Sequence, residues 1–487
     1  MNSNMRSGTS QAPLPRLARL TLIAATCACL GACAAGPNYA APDMNLPASY
    51  HQAVPSAGDQ APVSLDQWWE GFHDPQLTRI VQRVQAQNLD LELAMARVQQ
   101  ARAAAQLADA NLMPHGELGA QVAGQRQSLE SPIGEIASHF PGYRRTETLV
   151  DTGVGASWEI DLSGGLHRAR EAAVADAQAL EAQRLAVKVM VQADAADAYF
   201  RVREAQSRIA LAHEQIKTDA ALLDLVNLRL KEGMGTRQEQ AEAQARIAQV
   251  RAGVPPLQHE LTTQLNRLDI LMGAVPGTYA AELNDVEGRA AYAQIALGGN
   301  LKPQDLLRRR PDVIAAERKL AASNARIGVA MSEYYPKLSL GGIVGFEGLD
   351  TAAMNSRTFQ PAILAGLHWR LFDFGRVDAE VAQAKGANAE ALVGYRSSML
   401  HATEDVENAL SLQTTLAAER HELQAEVEAD VRARGAAEDA YKGGVTGMLE
   451  LLEQDRQLLA SRDQLAVADA GSARATVATF RALGGGW

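Results

Sequence analysis

All three cysteines of this 487-residue chain, Cys27, Cys29 and Cys33, lie within the first 33 positions, so no disulfide is available to staple the rest. Beyond that stretch no run of eighteen uncharged apolar residues occurs, which argues against a transmembrane helix and leaves any membrane crossing to strands. Aromatic residues make up only 5%, and 46 Lys plus Arg are outnumbered by 57 Asp plus Glu, for a formal net charge of -11. A nucleic-acid partner, which would need a basic face to displace counterions from phosphates, is therefore not expected. The ten histidines are scattered, with no His-Glu-x-x-His pair and no Cys/His cluster, and Gly-x-Ser-x-Gly is absent. Gly484 to Gly486 is no phosphate loop, because neither Lys nor Ser follows. The expectation is a non-enzyme with no cofactor and no metal.

What is present starts with an export signal over residues 1–32. Arg6, Arg16 and Arg19 make a positive start, and Leu20 to Leu30 form an apolar stretch too short to span a bilayer. Leu30-Gly31-Ala32-Cys33 resembles the bacterial lipobox, whose cysteine is acylated and becomes the first mature residue; Cys33 is the expected lipidation site. Each buried methylene of the acyl chains contributes roughly 0.8 kcal/mol to membrane binding. Ala34, rather than Asp, after the cysteine resembles sorting to the outer membrane. The plainer alternative is ordinary cleavage nearby, with Cys33 a spare thiol. Residues 33–66 read as a lipid-anchored extended segment.

The rest of the chain repeats itself. Aligning Pro114 with Pro336 superposes Asp90 on Asp312, while Trp158 and Gly164 stand 211 positions before Trp369 and Gly375, and Thr236 stands 210 before Thr446. A period of about two hundred residues is far longer than that of a solenoid, so each half is a structural unit used twice. The expected division is a first repeat over 67–276, a linker over 277–305 and a second repeat over 306–487. Each repeat reads as a helix (about Leu77 to Leu112, and Leu306 to Tyr335), a β-hairpin (115–160 and 337–372), and a long helical hairpin with its tip near 233–236 or 443–446.

Four strands are predicted by alternation. Leu118, Ala120 and Val122 share one face; so do Val154, Ala156, Trp158 and Ile160; Leu338, Leu340, Val344 and Phe346; and Ile363, Ala365, Leu367, Trp369 and Leu371. The other faces carry Gly, Ser, Glu159, Glu347, His368 and Arg370. Such strands suit an antiparallel sheet over a core or a membrane barrel with lipid outside and water inside. The long polar stretches 127–147 and 349–360 and the strand-end Trp158 and Trp369, placed as a membrane-interface girdle, tilt toward the barrel. Four strands cannot close one, so several chains are required, and three give twelve strands.

No proline or glycine occurs from Leu166 to Lys231, which as one helix spans roughly 100 Å. Val202, Ile209, Ile216, Leu223 and Leu230 recur every seven residues, a seam that demands a neighbouring helix. Gly233 to Gly235 turns the chain and Thr236 caps the return; Gly443 and Gly444 turn the second hairpin. Val254-Pro255-Pro256 is expected to interrupt the first return helix. Asp90 and Asp312, as repeat-related helix positions, fit capping or interhelical pairing better than acid-base work.

These residues carry a resemblance. Gly36-Pro37-Asn38-Tyr39, Trp68-Trp69 with Phe72 and Asp74-Pro75, Arg309-Arg310-Pro311-Asp312-Val313 with Ala316-Glu317 and Ile327-Gly328, Trp369 through Arg376, and Ala482 through Trp487 together resemble the TolC-like outer-membrane factors, in particular their NodT-like lipoprotein branch. The resemblance implies a mostly α fold with a small β part: a homotrimer whose twelve-stranded barrel continues into a periplasmic tunnel of antiparallel coiled-coil helices. It implies a lipid-anchored outer-membrane channel that conducts drugs or small toxic compounds when docked to a periplasmic adaptor and an inner-membrane pump. Gly233, Thr236, Gly444 and Thr446 become adaptor-contact tips. Leu449, Glu453 and Arg456 match positions that constrict the passage in relatives, with Glu453 in place of the more usual aspartate; the plain alternative is a solvated helix surface. Two other readings stay open: the outer-membrane part of type I protein secretion, and a non-conducting coiled-coil envelope tether. A periplasmic hydrolase has the least support.

Overall fold

The computed structural model describes residues 34–43, 46–52, 64–284, 302–349 and 354–487, so Cys33, the export signal and part of the linker lie outside the described residues. A 3-10 segment, Leu65–Phe72, leads into α1 (Pro75–Gln87), α2 (Leu89–Ala110), β1 (His115–Arg126), α3 (Pro132–Ser138), β2 (Thr146–Ile160), α4 (Gly165–Lys231), α5 (Arg237–Leu271) and α6 (Ala280–Asn284). Then come α7 (Pro303–Arg309), α8 (Pro311–Ser332), β3 (Lys337–Gly348), β4 (Phe359–His368), α9 (Arg376–Lys442) and α10 (Met448–Ala482). The chain is mostly helical with one small sheet, the fold class that the sequence predicts. The duplication is plain in the lengths: α4 and α9 each have 67 residues, and α5 and α10 each have 35.

Four expectations need correction. The first helix of each half is broken, at Asn88 and at Arg310. Asn88 leaves the helix with an extended backbone, and its Oδ1 accepts from the N–H groups of Asp90 and Leu91, starting α2 afresh. Pro255 and Pro256 do not interrupt α5, which runs through them. Both prolines lie on its exposed side, where water can satisfy the carbonyls whose partners they remove, while Val254 beside them is buried. The polar stretch 127–147 contains α3, started by a Ser131 cap on Gly134. Finally β4 stops at His368, opposite Lys337, the first residue of β3 after Pro336; Trp369, Arg370 and Leu371 therefore lie beyond the ladder.

The described chain divides into two units. The first gathers residues up to Ala41, Gln100–Ala177 and Arg318–Leu392, and it contains the sheet. The four strands pair antiparallel in chain order. The register sets Leu118 opposite Val154, Val154 opposite Val344 and Val344 opposite Pro361, while Trp158 meets Leu340 and Leu340 meets Ala365. One apolar face thus runs unbroken across the sheet. No described residue covers it: Leu118 is 77% exposed, Val154 56% and Ile363 94%. Among the described residues β1 and β4 are left as open edges.

The second unit gathers Pro42–Gln99, Gln178–Glu317 and Val393–Trp487. Its core is aromatic. Trp68 stacks on Phe480 at 5.5 Å and Phe72 meets Phe200 at 4.8 Å, while the Tyr199 hydroxyl donates to Asp74 over 2.6 Å. The glycine-rich terminus folds back here, with Gly486 N–H donating to Leu65 carbonyl and Trp487 Nε1 to Arg309 carbonyl. Gly486 has φ +109, and a Cβ there would press on Gln192, so no other residue fits. Arg310, buried, donates to Asp312, to Asp405 at 2.8 Å and to the carbonyls of Ala402 and Ala482. Segments far apart in sequence, those around Trp68, Arg310 and the terminus, are one packing centre.

Candidate functional site: the hairpin tips

Both long hairpins turn in the same way. Gly233 and Gly444 take left-handed φ of +72 and +75, and the same bonds close each turn: Gly233 to Leu230 and Met234 to Arg229 in one, Gly444 to Tyr441 and Val445 to Ala440 in the other. These equivalents are 211 apart, which places Thr446 opposite Gly235 and Gly447 opposite Thr236. The pairing of Thr236 with Thr446 at 210 is therefore corrected. The difference is chemical: Thr236 Oγ1 accepts from Glu239 N–H at 3.1 Å while Glu239 accepts from Thr236 N–H at 2.8 Å, whereas Gly447 offers no side chain to cap α10. Thr236→Ala should weaken the start of α5 by about 1 kcal/mol, seen as faster hydrogen exchange over residues 238–241. Thr446→Val should leave exchange at the start of α10 unchanged, because Thr446 Oγ1 makes no hydrogen bond.

The two tips are joined by a small core. Val226 of α4, Tyr441 of α9 and Met448, Leu451 and Leu452 of α10 are buried together, and Arg229 lies 4.9 Å over the Tyr441 ring. Leu449, Glu453 and Arg456 fall at i, i+4 and i+7 on α10, away from that core, and all three are exposed in the single chain. Arg456 Nε donates to Glu453 over 3.0 Å, and a second nitrogen also reaches the carboxylate. That hydrogen bond holds the Glu453 carboxyl below its usual range and raises Arg456. The stripe keeps a fixed ion pair beside an exposed leucine.

Behind the stripe lies a charged layer that heptad reading missed. Ala205, Ala212, Asp219 and Val226 recur every seven residues on α4 and are all buried, so Asp219 occupies an apolar position of the seam. Gln215 donates to it at 2.7 Å, and Arg246 of α5 lies 3.6 Å away, itself buried. Burial pushes the Asp219 carboxyl up and the Asp455 charge adds to this, against the Gln215 hydrogen bond and Arg246. Asp455 of α10, also buried, accepts from Arg434 of α9 at 2.9 Å. The legible signal was an acid interrupting an Ala/Val heptad. A groove of about 520 Å³ runs past this layer, lined by Arg208, Arg246, Arg456 and Asp463 over Val250, Leu257 and Leu459.

Trp158 and Trp369 are equivalent in geometry as in sequence. Each indole N–H donates to a backbone carbonyl two residues past the helix that leads into its hairpin, to Leu112 after α2 at 2.9 Å and to Tyr334 after α8 at 3.0 Å. Their rings stay partly exposed. No group of His, Cys, Asp or Glu able to hold a metal occurs among the described residues, and no described helix is long and apolar enough to cross a membrane.

The profile of the outer membrane efflux protein family matches residues 80–274 and 302–485, both halves of the duplication. The chain belongs to that family. It is 32% identical over 441 residues to the pyoverdine export outer membrane protein OpmQ of Pseudomonas putida, covering 89% of this chain and 92% of that protein. Nodulation protein T of Rhizobium leguminosarum bv. trifolii is 29% identical, with 94% and 95% covered. Among solved structures the outer-membrane channel OprN superposes with a TM-score of 0.83 at 30% identity, over 93% of this chain and all of that one. The protein is thus an outer-membrane channel component of an efflux system.

Proposed function

We propose that three copies close their sheets edge to edge into a twelve-stranded barrel, and that the long helical hairpins continue it as a periplasmic tunnel. The observation that carries this is the sheet itself: two open edges and an uncovered apolar face, on strands of 10 to 15 residues, long enough to cross a bilayer when tilted. The two repeats supply one hairpin of each kind per chain, so the trimer has six tips. These tips, around Gly233, Thr236, Gly444 and Thr446, meet a periplasmic adaptor, which links the duct to an inner-membrane pump. Cys33, acylated, anchors each chain in the outer membrane. The duct passes drugs or small toxic compounds that the pump selects.

Leu449, Glu453 and Arg456 form the constriction in this reading. Around a threefold axis three Glu453 carboxylates repel one another unless Arg456 intervenes, and the Glu453–Arg456 pair supports such a ring. In planar bilayers the detergent-extracted protein should run as a heat-modifiable trimer with discrete single-channel steps. Glu453→Ala and Arg456→Ala should each raise the step size, and unchanged steps count against these residues. A trimer anchored to the membrane but without conductance would favour the tether instead.

A further inference from the structure

Resting on the reading of Cys33 as the acylated residue, we propose that Arg168 and Gly328 are positioning residues: they clamp the segment after Cys33 and thereby set where its acyl chains enter the membrane. Ala35 N–H donates to Ser163 carbonyl at 2.8 Å, just beyond the end of β2. Arg168, on the first turn of α4 and buried, sends Nε to Ala35 carbonyl at 3.1 Å and Nη2 to Asn38 Oδ1 at 2.7 Å and Gly36 carbonyl at 3.4 Å. Its remaining nitrogen, Nη1, pairs with Glu171 at 2.7 Å. Asn324 of α8 donates to Pro37 carbonyl at 3.0 Å, and Arg318 lies over the Tyr39 ring. A guanidinium that spends three bonds on one short extended segment is a dedicated holder, because leaving those donors buried and unmade is costly.

Gly328 makes room for it. A Cβ there would stand 2.6 Å from Ala35 carbonyl oxygen and 2.7 Å from Arg168 Cγ, while a Cβ on Gly36, with φ +86, would stand 2.5 Å from Gly328 Cα. Backbone meets backbone at this point, and only glycine on both sides permits it. The clamp also breaks the duplication. The position 211 beyond Arg168 is Ala379, and the position 222 before Gly328 is Gln106. A chain has one N-terminal tail, and it is held by Arg168 of the first repeat and Gly328 of the second, neither of which is kept at the equivalent position of the other repeat.

The location gives the clamp its use. Ser163 is close behind Trp158 at the helical end of β2, and two residues of extended chain reach at most about 7 Å. Acyl chains on the residue bonded to Ala34 are thereby delivered to the leaflet at the level of the tryptophans. A freely tethered lipid would hold the protein at the membrane without fixing its depth; a clamped one fixes both.

The test uses the full-length protein in vesicles of outer-membrane lipid, with a nitroxide on Ala40→Cys; the mature chain has no other cysteine than Cys33. In the otherwise unaltered protein the label should give an immobilised spectrum. Arg168→Ala and Gly328→Leu should each turn most of the signal into a mobile component, with Arg168→Lys partly restoring the immobile one. Should Gly328→Leu fail to fold, Arg168→Gln serves as the second variant. Immobilisation that persists in every clamp variant overturns the proposal and leaves acylation untouched. Mass spectrometry of the N-terminal peptide from the same samples separates the other failure: an unacylated Cys33 overturns the placement even if the tail proves to be held.

Discussion

Val154→Arg should sharply reduce the amount of protein assembled in the outer membrane, while Ser157→Arg on the opposite face should be tolerated. Val154 lies in the middle of β2, flanked by Leu118 and Val344 on the continuous apolar face, and it is 56% exposed in the single chain. In water an arginine at so open a position would cost little. On the lipid face of a barrel near mid-membrane it costs about 2 to 4 kcal/mol, because the guanidinium must be dehydrated or dragged to the interface. Three chains bear that cost three times over. The contrast between the two substitutions separates a lipid-facing barrel from a sheet whose apolar face stays in water, since in the latter both arginines would be equally mild. The measurement is the heat-modifiable trimer recovered from outer-membrane fractions, and equal recovery of both variants would sink the barrel.

The second large effect lies at Arg246. Replacing it by Met leaves the Asp219 carboxylate, 2% exposed, without its cation, and breaking a buried pair in this way costs about 3 kcal/mol. The double variant Asp219→Leu with Arg246→Met removes both charges and should return close to the original stability. The pH dependence follows from the direction of the shift. Burial raises the folded-state pKa of Asp219, so the folded chain holds that proton to higher pH than the unfolded chain does. This group's stabilisation is therefore full in acid and is lost as pH rises through the folded pKa, after which the profile is flat. Arg246→Met should extend that decline to higher pH, and Asp219→Asn should abolish it. Hydrogen exchange of α4 and α5 amides in detergent micelles, followed across pH, measures both the cost and the slope. A variant with unaltered protection at every pH would show that the pair does not hold the hairpins together.

Much of this protein was legible because its patterns are local and long. A stretch of 66 residues without glycine or proline can only be helix, and the matched glycines set the turns at Gly233 and Gly444. Strand alternation named the apolar face correctly in all four strands, since side-chain direction along a strand has a period of two whatever the strand packs against. The errors came where a third element decides. Pro255 and Pro256 look like a break from the chain alone, and only the packing beside Val254 keeps α5 continuous. The one-residue slip at Thr446 arose because two threonines matched by identity, while the backbone matched Thr236 with Gly447. Trp369 seemed to belong to a strand until the partner strand ran out at Lys337.

Sequence by itself determined the duplication, the fold class and the family, because each is written in periodicity or in residues that lie close together along the chain. Tertiary structure alone decided which distant residues act as one. That Arg168 holds Ala35, that Gly36 rests on Gly328, that Asp219 meets Arg246 and that the terminal glycines wrap Trp68 are contacts across tens to hundreds of positions. No local propensity encodes such pairings, since they depend on how long helices align side by side, and that alignment is set by the packing of all of them together.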